Sequence, residues 1–340
     1  MTAIRWLVLG LSCFLGACNS QPQHPVETYV ERLANVLDVE LTPQQPSLPA
    51  FPPPRDLKLS TIPASISVRE FLSMRPCQLH GALAEKNSLL GKMAESSQTL
   101  FMDLRILDMG PKCVEHLNLV NRADLADTLE LALQHKRKQI TILLWTAILA
   151  ESEHRSFWST SKNSNNYPHQ INRAVDKAID ELFEFVAAVQ GSNFKVSSEQ
   201  ASRIEQNLLT LSQGDGGQLL RELATLATNL EQANQIIEQR LQRPLCLKQS
   251  PTTQARYLQN VVNQFFIQGV QPHAVALNQR YQQLLPKFRK LEQRLKSGAT
   301  PEYRSWARLR ELTFEQGRAS AKNHVSQIQR LYSQCGLQVS

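Results

Sequence analysis

Gly214-Asp215-Gly216-Gly217-Gln218-Leu219-Leu220-Arg221-Glu222-Leu223-Ala224-Thr225-Leu226-Ala227-Thr228-Asn229-Leu230 is the stretch that decides the fold. Three glycines in four residues are costly inside a helix, so they close the helix that Ser197-Ser198-Glu199 opens. Beyond them Leu220, Leu223, Leu226, Leu230 and Ile237 recur at the spacing of one helical face, which predicts a long helix to Leu241. Helices joined by so short a turn pack as antiparallel neighbours, the geometry of an up-and-down bundle.

Working outward, the same pattern predicts helices over Ala174 to Val189, Thr252 to Ile267, His273 to Leu295, Pro301 to Leu312 and Phe314 to Tyr332, with Pro286 expected to kink its helix. Upstream, Ser67 is a candidate N-cap for Val68 to Met74. Leu79, Leu83, Leu89, Leu90, Met93, Leu100, Leu104 and Leu107 keep a three-to-four spacing up to Gly110-Pro111, read as a stop. Asp124 to His135 is amphipathic, and Ile140 to Ala150 is apolar on every side, the mark of a central buried helix. Val26 to Leu37 is a shorter amphipathic helix presenting Tyr29, Leu33, Val36 and Leu37. Between Pro43 and Pro63 seven prolines forbid helix, so this stretch is expected to run extended, with Leu57, Leu59 and Ile62 as a short edge strand. The fold class is therefore all-α: a multi-helix up-and-down bundle preceded by a short proline-rich extended segment. The polar stretch Ser159 to Pro168 divides an N-terminal helical half, 65–158, from a C-terminal half, 168–340, and the short helix with its proline-rich segment occupies 26–64.

The 340 residues are 42% hydrophobic and 20% charged, the balance of a globular chain. Only 13 glycines disfavour a β-sandwich or a glycine-rich nucleotide-binding fold. The net charge of +7 is uneven: Arg280 to Ser340 carries 12 Lys and Arg against 4 Asp and Glu. Lys287, Arg289, Lys290, Arg294, Lys296, Arg304, Arg308 and Arg310 form a candidate basic surface, interleaved with Phe288, Tyr303 and Trp306. Such a surface suits nucleic acid, anionic lipid or cell-wall carboxylates, and the compartment chooses among them. The bland reading is a set of solvated helix faces.

Residues 1–17 read as a secretory signal peptide: one early positive charge, then an apolar run from Trp6 to Leu15 far shorter than the ~20 residues of a membrane-spanning helix. Leu15-Gly16-Ala17-Cys18 resembles the lipobox of bacterial lipoproteins, which implies that Cys18 becomes the first mature residue and carries acyl chains. Each buried CH₂ contributes about 0.8 kcal/mol, so several chains hold a protein on a membrane where one is marginal. Asn19 in place of Asp implies, by the same similarity, sorting to the outer membrane with the body facing the periplasm. Residues 18–25 would be the tether. The partners expected are then the membrane, through the anchor, and an envelope protein, peptidoglycan or anionic phospholipid; nucleic acid is excluded by location.

Cys77, Cys113, Cys246 and Cys335 remain, an even number that reads as two disulfides in an oxidising compartment. Three pairings exist. Cys77 with Cys113 and Cys246 with Cys335 is favoured because each pair closes its own half of the chain.

Taken with the lipobox, the Tyr29-x-x-Arg32-Leu33 helix and Cys77-Gln78-Leu79 … Glu85-Lys86-Asn87-Ser88-Leu89-Leu90-Gly91-Lys92 … Ser97-Gln98-Thr99-Leu100 make the chain resemble a family of gammaproteobacterial lipoproteins, domain of unknown function 3080. The resemblance implies the location and the cysteines and supplies no activity.

Glu151-x-x-His154 has the spacing of half a di-iron site, but no second copy exists, and a polar surface end to the buried helix, with Glu151, Glu153, His154 and Arg155 paired there, is the expectation. Cys113-x-x-His116 lacks its partner half, and a cysteine in a disulfide has no thiolate to offer. The polar Asn87-Ser88 to Ser97-Gln98 stretch lines a groove or is simply solvated. Neither H-E-x-x-H nor G-x-S-x-G occurs. No catalytic residue, metal site or cofactor is expected. The leading expectation is a non-catalytic lipoprotein, a periplasmic helical scaffold or binding module; the alternatives are a cell-wall or lipid-acting enzyme and a carrier of lipid or a small ligand.

Overall fold

The computed structural model describes residues 24–60, 67–161, 167–243, 245–247 and 250–337. The segments expected to be a signal peptide and a lipobox, with Cys18, lie outside them, as does Ile62. The fold is all-α. Helix α1 (Pro25–Leu37) is followed by an extended segment and then by α2 (Val68–Ser73), α3 (Leu79–Asn87), α4 (Leu89–Lys92), α5 (Ser96–Leu119), α6 (Ala123–Lys138), α7 (Ile140–Leu149) and α8 (Ser152–Phe157). The second part runs α9 (Ala174–Gln190), α10 (Ser198–Ser212), α11 (Gly216–Leu241), α12 (Thr253–Val261), α13 (Gln271–Arg294) and α14 (Pro301–Ser333). Among the described residues no helix is long and apolar enough to cross a membrane.

Local chemistry sets the starts. Ser67 and Ser197 form capping boxes with Glu70 and Gln200, and Thr252 and Thr300 accept from Ala255 and Tyr303 backbone N–H groups. The His24 side chain caps α1, its Nδ1 accepting from the Val26 N–H at 3.3 Å. Helix α1 buries Val26, Tyr29, Val30, Leu33, Ala34 and Leu37 against α11, α12 and the π-helical stretch that follows α12. The central pair is α11 with α14. Their close approach needs Gly317, where an added Cβ would sit 2.5 Å from the Leu223 carbonyl oxygen.

Among the helices, four expectations change. Helix α5 runs through Gly110-Pro111, because its buried face is continuous over Leu100, Leu104, Leu107, Gly110, Cys113 and Leu117. At Gly110 the missing side chain admits Leu133 of α6, whose methyls would lie 2.5 Å from a Cβ. That packing outweighs the backbone bond lost at Pro111. Leu89, Leu90 and Met93 leave the apolar series: they are 75–82% exposed on the short turn α4. The segments assigned to Thr252 to Ile267 and His273 to Leu295 are one helical run, α12 passing through a π-helical stretch, Val262–Val270, into α13. Likewise Pro301 to Tyr332 is the single helix α14.

The proline-rich segment forms no strand at Leu57 and Leu59. Pro54–Leu57 is a 3₁₀ turn with Leu57 fully buried, and the strand pairing observed is the two-residue ladder of Cys246–Leu247 with Ser250–Pro251. Prolines remove donors and leave carbonyls free, and the bundle supplies the donors. Trp145 Nε1 donates to the Leu57 carbonyl at 2.7 Å, Thr300 Oγ1 to Asp56 at 2.6 Å, Arg155 to Pro52 at 3.2 Å, Trp306 Nε1 to Pro49 at 3.3 Å and Gln232 to Thr42 at 2.8 Å. The segment is thus a strap sewn across both parts of the chain. Two cysteine pairs, Cys77 with Cys113 and Cys246 with Cys335, lie at disulfide distance, each with Cα atoms 5.4 Å apart.

Candidate functional site

The end of α13 and the start of α14 enclose a groove of about 990 Å³. Its floor is aromatic: Trp145 of α7 and Tyr303 of α14 meet edge to face, 4.7 Å between ring centroids. Beneath them Arg310 is 1% exposed, which corrects its assignment to the basic surface. One turn of α14 before it, Trp306 faces inward, so Arg310 falls on the same inner stripe. Its guanidinium lies 4.6 Å from the Trp158 ring centre and 5.0 Å from that of Trp306. Glu292 takes two hydrogen bonds from it, 2.8 and 2.9 Å, and Glu311 takes another at 2.7 Å. A buried guanidinium persists only when so paired. Burial opposes its charge, but Glu292 more than offsets that and holds Arg310 protonated. Tyr303 donates to Glu292, and burial followed by that carboxylate's charge pushes its phenol well above the ordinary value.

The rim differs from the floor. Arg289 is paired with Glu311. Lys296, Arg304 and Arg308 are exposed at the groove and have no carboxylate partner among the described residues; Arg304 donates to the Ala299 carbonyl at 2.5 Å. The lining carries five cations against three carboxylates, Glu292, Glu311 and Glu315, and the surplus lies on the rim. A paired, rigid, aromatic floor under unpaired cations can hold an anion attached to an apolar body.

The other basic residues separate from the groove. Lys287 pairs with Asp180, the Arg294 guanidinium lies 5.7 Å from the Phe183 ring centre, both toward α9, and Lys290 is exposed on α13. The pair Glu151 and His154 also divides. Glu151 meets Lys58 at 2.6 Å near the surface, whereas His154 is fully buried, which corrects its expected surface position. Its Nδ1–H donates to the Leu149 carbonyl at 2.7 Å, and its Nε2 accepts from Trp158 Nε1–H at 2.8 Å, an arrangement that requires the neutral ring. Cys113 is committed to its partner, with His116 beside the pair. In the Asn87–Gln98 stretch Ser97 is buried and Gln98 donates to Glu205 at 2.8 Å.

No metal site was expected from sequence, yet the fold gathers three donors that can hold an ion: His24, Glu222 and His273 offer ligand atoms within 4.8 Å of one another. No motif spacing joins positions 24, 222 and 273. What sequence does carry is a misfit: Glu222 lies three residues after Leu219 and four before Leu226, and His273 three after Val270 and four before Leu277, all buried. A titratable group on a buried stripe asks for a partner.

The architecture is a strapped all-α bundle with two cysteine staples and a cationic groove. No curated protein and no solved structure matches the chain. Residues 26–339 match the model of the family described as protein of unknown function (DUF3080), and the chain belongs to that family.

Proposed function

We propose that the chain is a non-catalytic lipoprotein of the outer membrane, anchored through Cys18 and facing the periplasm, whose α13–α14 groove binds an anionic phospholipid headgroup. The lipobox and the short apolar run before it support the anchor, and two cysteine pairs suit an oxidising compartment. The observation that carries the binding reading is the rim of Lys296, Arg304 and Arg308, none with a carboxylate partner among the described residues, over the floor of Trp145 and Tyr303. Cations near an anionic surface contribute about 1 kcal/mol each.

Tryptophan fluorescence provides the test, since Trp145 lies in the floor. Short-chain phosphatidylglycerol, kept below its micelle concentration, is expected to give a saturable change that short-chain phosphatidylcholine does not. Arg304→Gln with Arg308→Gln is expected to weaken binding about thirty-fold at the value of about 1 kcal/mol per charge. Equal responses to the two lipids, or no effect of the double variant, refute the reading; a response to muropeptide alone moves the ligand to the cell wall.

A further inference from the structure

His24, Glu222 and His273 come from the start of α1, the second turn of α11 and the first turn of α13. His24 Nε2 is 2.9 Å from Glu222 Oε2, and His273 Nε2 is 3.4 Å from the same oxygen. The two rings meet edge to face with centroids 5.0 Å apart, and both Nε2 atoms lie against the same carboxylate oxygen. His273 Nε2 is buried and, beyond that 3.4 Å contact with Glu222, has no hydrogen-bond partner among the described residues. A buried nitrogen left without a partner, aimed at a carboxylate that already serves another imidazole, is an unsatisfied donor set. The side chains are only 11–20% exposed, so the cluster is sheltered yet reachable from solvent.

We infer that His24, Glu222 and His273 form a binding site for one divalent transition-metal ion of the zinc class. Two imidazoles and one carboxylate are the borderline donor set this ion takes, and ligand atoms about 2.0–2.2 Å from a shared centre lie roughly 3–3.5 Å from each other; the two separations from Glu222 Oε2, 2.9 and 3.4 Å, are close to that, and all three donors lie within 4.8 Å of one another. The three protein ligands leave a fourth position for water or an exogenous group. Coordination requires the lone pair of His24 Nε2. Its Nδ1 now accepts from Val26 N–H, so the ring carries its proton on Nε2 and changes tautomer as the ion binds, the proton leaving Nε2 and one being taken up at Nδ1. The long cap bond of 3.3 Å is what the ring gives up. The site shares no residue with the α13–α14 groove, and its failure would leave the groove reading standing.

The test uses the full chain, purified in detergent and stripped with a chelator. Calorimetric titration with Zn²⁺ is expected to show one equivalent per chain, and Co²⁺ to give the intense visible bands of a four-coordinate nitrogen and oxygen site. Glu222→Gln and His273→Gln are each expected to weaken Zn²⁺ binding at least ten-fold. His24→Ala, at the outermost of the three positions, is expected to do the same without disturbing the core and so separates ligand loss from misfolding. A cooperatively unfolding wild-type chain that takes up no Zn²⁺, a weak six-coordinate Co²⁺ spectrum, or binding indifferent to all three substitutions overturns the site.

Discussion

Arg280 grips Asp215 through two hydrogen bonds, Nε to Oδ2 at 2.8 Å and Nη2 to Oδ1 at 2.6 Å, where α13 crosses α11. One heptad along each helix in opposite directions, Glu222 meets His273. The α11–α13 seam is therefore built of two polar rungs in antiparallel register, with Arg280 also reaching Asp176 at 2.9 Å and Tyr167 donating to Asp215 at 2.9 Å. Burial opposes the Arg280 charge, and its bonds to Asp215 and the field of both carboxylates more than offset it.

Removing only the cation from that rung strands two carboxylates in a low-dielectric seam. Arg280→Ala is expected to cost about 3–5 kcal/mol of unfolding free energy, measured in urea, because breaking one side of a buried pair leaves an uncompensated charge. Adding Asp215→Asn should restore part of the loss. If the double variant is as unstable as the sum of its singles, the rung contributes by packing and not by charge.

Acid should unfold the protein through two buried imidazoles. Burial depresses His154 from the ordinary 6.5 to about 3, aided by the charges of Arg310 and Arg155 against the opposing Leu149 carbonyl bond, and burial alone depresses His324 to about 3. Tyr29 donates to His324 Nε2 at 2.7 Å and Asn234 accepts from its Nδ1–H at 2.6 Å, which holds that ring neutral. Below pH 6.5 the unfolded chain takes up protons that the folded chain refuses, so the stabilisation is complete above the unfolded value and is lost as pH falls. Between pH 6.5 and the ordinary carboxylate value of 4.5 the slope should approach about 1.4 kcal/mol per pH unit for each histidine. Urea midpoints across that window check it: His324→Gln should flatten the dependence, and an unchanged slope would remove His324 from the account.

The cysteine pairs span 36 and 89 residues. On the chain-entropy account, each closes enough of the unfolded chain to contribute roughly 4 kcal/mol. Non-reducing peptide mapping should recover Cys77 with Cys113 and Cys246 with Cys335. Serine at both members of either pair should lower the urea midpoint, and the effect should vanish when wild type is compared under reducing conditions. Four free thiols in protein from the oxidised compartment would contradict the pairing and the placement together.

Much of the bundle was legible because helix is a local property. Ser67 and Ser197 announce their caps, and the period from Leu219 to Ile237 announces α11. Sequence misled where a tertiary contact outweighed a local rule: Gly110 looks like a stop until Leu133 is seen to need its empty flank, and Leu89, Leu90 and Met93 keep a core period while facing solvent. The basic residues of α13 and α14 were visible as a group, but not that Arg310 turns inward, since Glu292 and the rings of Trp158 and Trp306 surround it only in the folded chain. His24, Glu222 and His273 were invisible as a set because three helices far apart in sequence bring them together.

Anchoring is the prediction on which the partner class depends. The segment from Trp6 to Leu15 is too short to span a bilayer as a helix, so the hold expected on the membrane is the acyl chains on Cys18. Cys18→Ser is expected to abolish incorporation of labelled palmitate, to leave the signal peptide uncleaved, and to remove the chain from the outer-membrane fraction. Asn19→Asp should instead leave lipidation intact and shift the protein to the inner membrane, since the sorting reading turns on that one residue. A Cys18→Ser chain that still sediments with the outer membrane would detach the protein from lipid anchoring. The rim of Lys296, Arg304 and Arg308 would then have to be read against whatever polyanions its true compartment holds.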